Sequence, residues 1–180
     1  MSKNNNNNSE LIERVVSVNK ATKVVKGGKN FSFAVLVVVG DENGRVGFAK
    51  GSSKEVPDAK NKAFEAAKKS LIKISLKEGR TIHHDVIAKF CAAEVVLRSA
   101  PAGTGIIAGG PMRAIFECAG IKDIVAKSLG TSNPYNMVGA TFKALKSIYS
   151  PRVIADRKSK EISEIVKKRN LALGGTVSNS

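Results

Sequence analysis

The run Phe31-Ser32-Phe33-Ala34-Val35-Leu36-Val37-Val38-Val39 constrains the fold more than any other stretch of the chain. It is built largely of β-branched, aromatic and aliphatic residues and is flanked by turn chemistry, so it predicts a β-strand. Gly27-Gly28 breaks the chain before it. Asp41-Glu42-Asn43-Gly44 follows, with Asn43-Gly44 able to take the positive φ that a hairpin needs. Upstream, from Leu11, Val15, Val16 and Val18 alternate in part with polar residues and lead into a basic stretch from Asn19 to Lys26. Downstream, Arg45 to Gly51 reads as a third strand. The product is a three-stranded meander with Lys26-Gly27-Gly28-Lys29 at its far tip.

Ser52 to Asp58 reads as a loop into a helix, with Pro57 in the first turn, where its missing N–H costs nothing. Ala59, Ala63, Ala66, Ala67 and Leu71 make an apolar face with Phe64 near its edge. Lys60, Lys62, Lys68, Lys69 and Lys73 occupy much of the remainder, and a solvated face and a binding face account for them equally well. Ser75 to Arg80 reads as a polar linker and a domain boundary. Two strands follow, Thr81 to Phe90 and Glu94 to Arg98. A helix from Ala114 to Ala119 is closed by Gly120, and Ile121 to Gly130 is a further strand. Asn133 and Pro134 suit the N-cap and first residue of a helix striped by Met137, Val138, Thr141, Leu145 and Ile148. Ser150-Pro151 starts a turn, and Glu161 to Arg169 reads as a short amphipathic helix. Residues 1–10, with their asparagine run, are a disordered tail, and the chain frays from Gly174.

The chain carries 30 Lys and Arg against 15 Asp and Glu in 180 residues, a net +15. The excess is almost evenly shared between residues 1–80, net +8, and residues 81–180, net +7. A chain basic throughout meets a polyanion, and nucleic acid leads the candidates over an anionic membrane surface. No run approaches the ~18 apolar residues of a membrane span, and no apolar leader opens the chain. With no Trp and 2 Tyr, base stacking is not the main binding mode. Cys91 and Cys118 sit in apolar runs and read as buried thiols of a reducing cytosol, with a disulfide the lesser alternative. His83 and His84 would point to opposite faces of a strand and no third histidine exists, so no metal site and no cofactor are expected.

The stretch from Pro101 to Arg113 holds Gly103, Gly105, Gly109 and Gly110 and joins a strand to a helix whose first turn suits Pro111. Exposed N–H groups at a helix start, with Arg113 beside them, would suit a phosphate. It is not a phosphate-binding loop of the Gly-Lys-Ser/Thr type, and its spacing is wrong for a dinucleotide fingerprint. It has some likeness to the Gly-Leu-Gly-Ser-Ser loop of small-molecule kinases, but Ile106-Ile107-Ala108 replace the serines. No base–nucleophile pair is evident, so the chain is not expected to be an enzyme. The alternative is a packing turn whose glycines set geometry.

Three strands, then Gly51-Ser52-Ser53-Lys54 and Ala59-Lys60-Asn61-Lys62-Ala63, resemble the second half of a double-stranded-RNA-binding domain, which places a helix N-terminus and lysines on phosphates. Val56-Pro57-Asp58 stands where that family carries a lysine pair, and the family's leading helix is absent or very short, which speaks against the duplex-spanning mode. A second resemblance covers nearly the whole chain. Val24 to Phe33, Val39 to Phe48, Pro101 to Ala114 and Thr131 to Asn136 resemble, in order, four motifs of the bacterial small-subunit ribosomal protein five family.

That resemblance implies an α+β fold of two domains. Residues 11–76 form a double-stranded-RNA-binding-like β-β-β-α domain. Residues 81–155 form a β-α domain with a left-handed β-α-β crossover, and residues 156–180 a C-terminal helix and tail. It implies a non-catalytic, cytoplasmic component of the small subunit that binds rRNA, supports assembly and accuracy, and lines the channel where mRNA enters; the alternative is a free RNA-binding or RNA-chaperone module. Implied rRNA contacts are Lys26, Gly27, Gly28, Lys29, Asn30, Arg45, Lys50, Lys54, Lys60, Ser132, Asn133 and Asn136, with spectinomycin sensitivity affected at the hairpin tip. Lys20 and Lys23 match a basic edge facing mRNA. Gly103, Thr104, Gly105 and Arg113 match the surface facing small-subunit protein four, and proteins three and eight are further implied neighbours.

Overall fold

β2 (Gly28–Gly40) is the strand on which the N-terminal half is assembled. In the computed structural model, which describes residues 11–166, it lies between β1 (Ile12–Val25) and β3 (Arg45–Ser53), antiparallel to both. Its alternate residues enter two different cores. Val35, Val37 and Val39 pack on the Ala59, Ala63 and Ala67 stripe of α1 (Val56–Lys69). Leu36 and Val38 face the opposite way, into a larger core built mostly by the C-terminal half. A strand covered on both faces needs a continuous apolar run rather than an alternation, which explains the unbroken 34–39 sequence. Each of these fully buried valines stabilises the fold by about 1.5–3 kcal/mol.

Helix α1 rests on the sheet through three alanines, so its buried stripe is narrow, and Ala66, expected on the apolar face, is exposed. The helix ends at Lys69, where Ser70 turns its N–H and hydroxyl onto the Ala67 carbonyl; Leu71 therefore follows the helix instead of lining it. β4 (Ile72–Lys73) then completes the sheet in the order β1-β2-β3-β4.

The segment expected as a linker pairs with itself: β5 (Leu76–Lys77) and β6 (Thr81–Ile82) form a small hairpin. The strand expected from Thr81 to Phe90 is interrupted at 83–85. There Asp85 leaves the extended path and its carboxylate accepts the N–H and hydroxyl of Ser99 at 2.9 and 3.2 Å. β7 (Val86–Phe90), β8 (Ala93–Ser99), β9 (Ile106–Ile107) and β10 (Ile124–Leu129) form a second sheet in the order β7-β8-β10-β9. Cys91 lies in the tight turn between β7 and β8 with φ +50°; it is exposed, contrary to expectation, because that turn projects past the end of the sheet. β9, inside the glycine-rich stretch, runs parallel to β10 and reaches it through α2 (Gly110–Ala119), a β-α-β crossover.

α3 (Pro134–Lys146) buries Met137, Val138, Thr141 and Leu145 as expected, together with Gly139, Ala140, Phe142 and Ala144. The extra burial arises because both halves cover it; the ring of Phe142 lies 4.5 Å from that of Phe48 in β3. Where only a turn was expected after Ser150, α4 (Pro151–Lys158) forms, with the Ser150 hydroxyl accepting the Val153 N–H. A further helical turn spans 162–166. The remainder of the expected Glu161–Arg169 helix, the asparagine tail and the end from Gly174 lie outside the described residues.

The two halves are joined through the β2–β3 turn. Glu42 and Gly44 donate their N–H groups to Cys118 and Ala119 at the end of α2, both at 3.0 Å. Positive φ falls on Glu42 and Gly44 (+53° and +85°) rather than on Asn43. The Asp41 carboxylate wraps the loop by accepting the N–H groups of Asn43 and Arg45, each at 2.9 Å. Gly120 ends α2 at φ +77°, and a Cβ there would overlap the Glu42 carbonyl.

Candidate nucleic-acid interface

The β1–β2 hairpin extends beyond the helix that covers its base, and Lys26, Gly27, Gly28, Lys29 and Asn30 are all exposed at its end. A Cβ at Gly27 or Gly28 would meet nothing within 4 Å. Internal packing therefore makes no demand on this pair, although Gly28, at φ +134°, has a backbone that other residues rarely adopt. Lys20 and Lys23 are exposed but lie on opposite faces of the ribbon, because strand side chains alternate. Lys20 pairs across with Phe33, and Lys23 with Asn30. The single basic edge expected from the sequence is thus two faces, separated by the pleat. The Lys20 ammonium sits 4.3 Å from the centre of the Phe31 ring.

On the Lys23 face, nearer the base of the hairpin, Lys50 and Asn133 come together although 83 residues separate them. They line a cleft of about 220 Å³ with Ser17, Asn19 and Tyr135. The Asn133 side chain caps α3 by accepting the Tyr135 N–H at 3.1 Å. Ser132 lies beyond it in a neighbouring hollow with Lys127, and Asn136 is half-buried. Lys54 is exposed before α1. Arg45 pairs with Asp41 at 2.9 Å, and Lys60 pairs with Glu13. The Lys60 pair is partly solvated, and such pairs hold by at most about 1 kcal/mol, so they yield readily to a phosphate. Burial pushes the Asp41 carboxyl up, but the N–H groups of Arg45 and Asn43 and the Arg45 guanidinium outweigh it and hold the group below its ordinary value.

The glycine-rich stretch does bind an anion, and the anion is the chain's own. Gly103 and Gly105 donate their N–H groups to one oxygen of Asp123 at 2.9 and 3.0 Å, and Arg80 pairs with the other at 3.0 Å. Asp123 is almost wholly buried. The Gly105 N–H, with Arg80 and the Gly103 N–H, overcomes the upward push of burial and keeps this carboxyl below its ordinary value. These donors are consumed, so the loop is a clamp and not a nucleotide site. Thr104 closes it with hydroxyl and N–H on the Pro101 carbonyl, at 2.9 and 3.3 Å. Arg113, exposed on α2, contacts Glu117 at 3.2 Å, and Arg14 of β1 approaches the same carboxylate at 3.7 Å. Asp123, Arg80 and Glu117 were not singled out from the sequence; an acid set between Ile121 and Ile124 in an apolar run was the available signal.

Among the described residues, no group of three or more His, Cys, Asp or Glu lies together to hold a metal, and no helix is long and apolar enough to cross a membrane. A basic α+β protein whose loops bind its own carboxylates, and whose protruding ribbon carries cations and no acid from Arg14 to Val39, is built as a scaffold. The family follows from comparison. Residues 11–75 match the model for ribosomal protein S5, N-terminal domain, and residues 88–158 that for ribosomal protein S5, C-terminal domain. The chain is 58% identical over 163 residues to small ribosomal subunit protein uS5 of Gluconacetobacter diazotrophicus, spanning 91% of this chain and 85% of that one. To the protein of the same name from Ruegeria pomeroyi it is 56% identical, spanning 91% and 86%. The chain belongs to the ribosomal protein S5 family, and is a structural protein rather than an enzyme.

Proposed function

We propose that the chain is a component of the small ribosomal subunit in the bacterial cytoplasm, where it binds rRNA, supports assembly and decoding accuracy, and lines the region where mRNA enters. The observation that carries this reading is the β1–β2 ribbon. Between Arg14 and Val39 it bears Arg14, Lys20, Lys23, Lys26 and Lys29, and neither Asp nor Glu. A protruding ribbon of one charge sign is suited to reach between phosphates. The tip from Lys26 to Asn30 and the Lys50–Asn133 cleft are the rRNA contacts, with Arg45, Lys54, Lys60, Ser132 and Asn136 around them. Lys20 and Lys23 serve mRNA from the two faces of the ribbon. The loop at Gly103, Thr104 and Gly105, held rigid by Asp123, with Arg113 on the adjoining helix, faces small-subunit protein four; proteins three and eight are the other neighbours. Residues 11–76 and 81–155 act as the two units of this scaffold.

The tip is tested by measuring how binding of the full chain to small-subunit rRNA depends on salt. Each phosphate contact steepens the logarithmic salt dependence by about 0.7–0.9. Lys26→Ala with Lys29→Ala should flatten the slope by about 1 to 2. An unchanged slope and affinity would remove the tip from the interface.

A further inference from the structure

The Lys20 face of the ribbon carries a feature that phosphate binding leaves unused. Phe31 is 48% exposed and Val24 is 72% exposed, and strand alternation places both on this face with Lys20, Thr22 and Lys29. Among the described residues no second ring packs on Phe31; the aromatic pairs are Phe48 with Tyr135 and Phe48 with Phe142. This ring stands beyond the reach of the core, about half exposed, with the Lys20 ammonium over one of its faces.

We propose that this face is a stacking site for one unpaired nucleobase, with Phe31 as the platform. The surroundings select a nucleic acid over a protein surface: the ribbon has five cations and no acid from Arg14 to Val39. The base stacks on the ring face away from Lys20, whose ammonium sits over the ring at 4.3 Å, and Lys20, together with Lys29 two residues before Phe31 on the same face of β2, meets the flanking phosphates. The ring accepts any base, because every base has a π-face, so affinity rises without sequence readout. This site rests on the reading that the ribbon meets RNA, and it adds one stacked base to contacts otherwise made to phosphate.

The test uses the full chain with two probes: single-stranded oligoadenylate, and an abasic ribose-phosphate strand of the same length. Stacking on one aromatic is worth about tenfold in affinity. Phe31→Leu should lose about that factor on oligoadenylate and nothing on the abasic strand, while Phe31→Tyr stays close to the parent on both. An unchanged unfolding midpoint for Phe31→Leu confirms that the loss is one of binding. Equal binding of parent and Phe31→Leu to oligoadenylate overturns the stacking site. The RNA reading would still stand if Lys26→Ala with Lys29→Ala weakens both probes, and would fall if that variant weakens neither. If Phe31→Leu binds both probes normally yet no longer sediments with small subunits, the face docks on protein and the proposal is wrong.

Discussion

Gly120 and Gly27 serve opposite purposes. Gly120 holds φ +77° with its α-carbon against the Glu42 carbonyl, so Gly120→Ala combines left-handed strain with a backbone collision. The expected loss is about 3 kcal/mol, read as a lowered urea midpoint, because the joint between the two halves must open. Gly27 has open space and ordinary φ, so Gly27→Ala should change stability by less than about 0.5 kcal/mol. Any loss of rRNA binding there would belong to the interface and not to the fold. Asp123 ties the 103–105 loop to Arg80, and its folded-state pKa lies below the unfolded one. Its stabilisation is therefore complete above the ordinary carboxylate range and is lost as pH falls through the depressed value. The urea-midpoint gap between the parent and Asp123→Asn should be clear at neutral pH and should narrow below about pH 4; a gap constant with pH would show that the charge is not what holds the loop. The cysteines differ in the same physical way. Burial raises the Cys118 thiol to about 11, while Cys91 is exposed in its turn. A thiol-reactive disulfide reagent should titrate one thiol in the native protein and the second only after unfolding.

At the scale of elements, α3 packs on β7, β8 and α2 and meets the first sheet through Phe142 on Phe48, and a single side chain caps its start. Asn133→Ala removes the acceptor for the Tyr135 N–H and should cost about 1 kcal/mol in thermal unfolding, loosening one wall of the Lys50 cleft. This cap was legible in the sequence, because Asn followed by Pro before an apolar stripe has few other uses. So were the hairpin tip and strand β2, whose turn residues and apolar run act locally. β9 was not legible: Ile106 and Ile107 are two residues in a glycine-rich loop and become a strand only because β10 offers an edge. Nor was the Asp123 clamp, since pairing of Asp123 with Gly103 and Arg80 is decided by the crossover and not by neighbours in sequence. The opposite placement of Lys20 and Lys23 could be read from strand alternation alone once the hairpin register was known. Cys91 misled because an apolar neighbourhood in sequence says nothing about a turn that projects from the sheet.

The whole molecule is two α+β halves locked by the β2–β3 turn on α2, with a cationic ribbon left outside the lock. That division places stability in the cores and leaves the ribbon and cleft outside them for the binding proposed above. A net charge of +15 also predicts loose, salt-sensitive association with any polyanion, so affinity for RNA in isolation does not distinguish a subunit component from a free RNA-binding protein. Sedimentation does. The tagged full chain should travel through a sucrose gradient of cell lysate with the small ribosomal subunit, and should stay there when salt is raised enough to strip nonspecific RNA-bound proteins. A chain found mainly in the slowly sedimenting free pool would contradict its place as a structural part of the subunit.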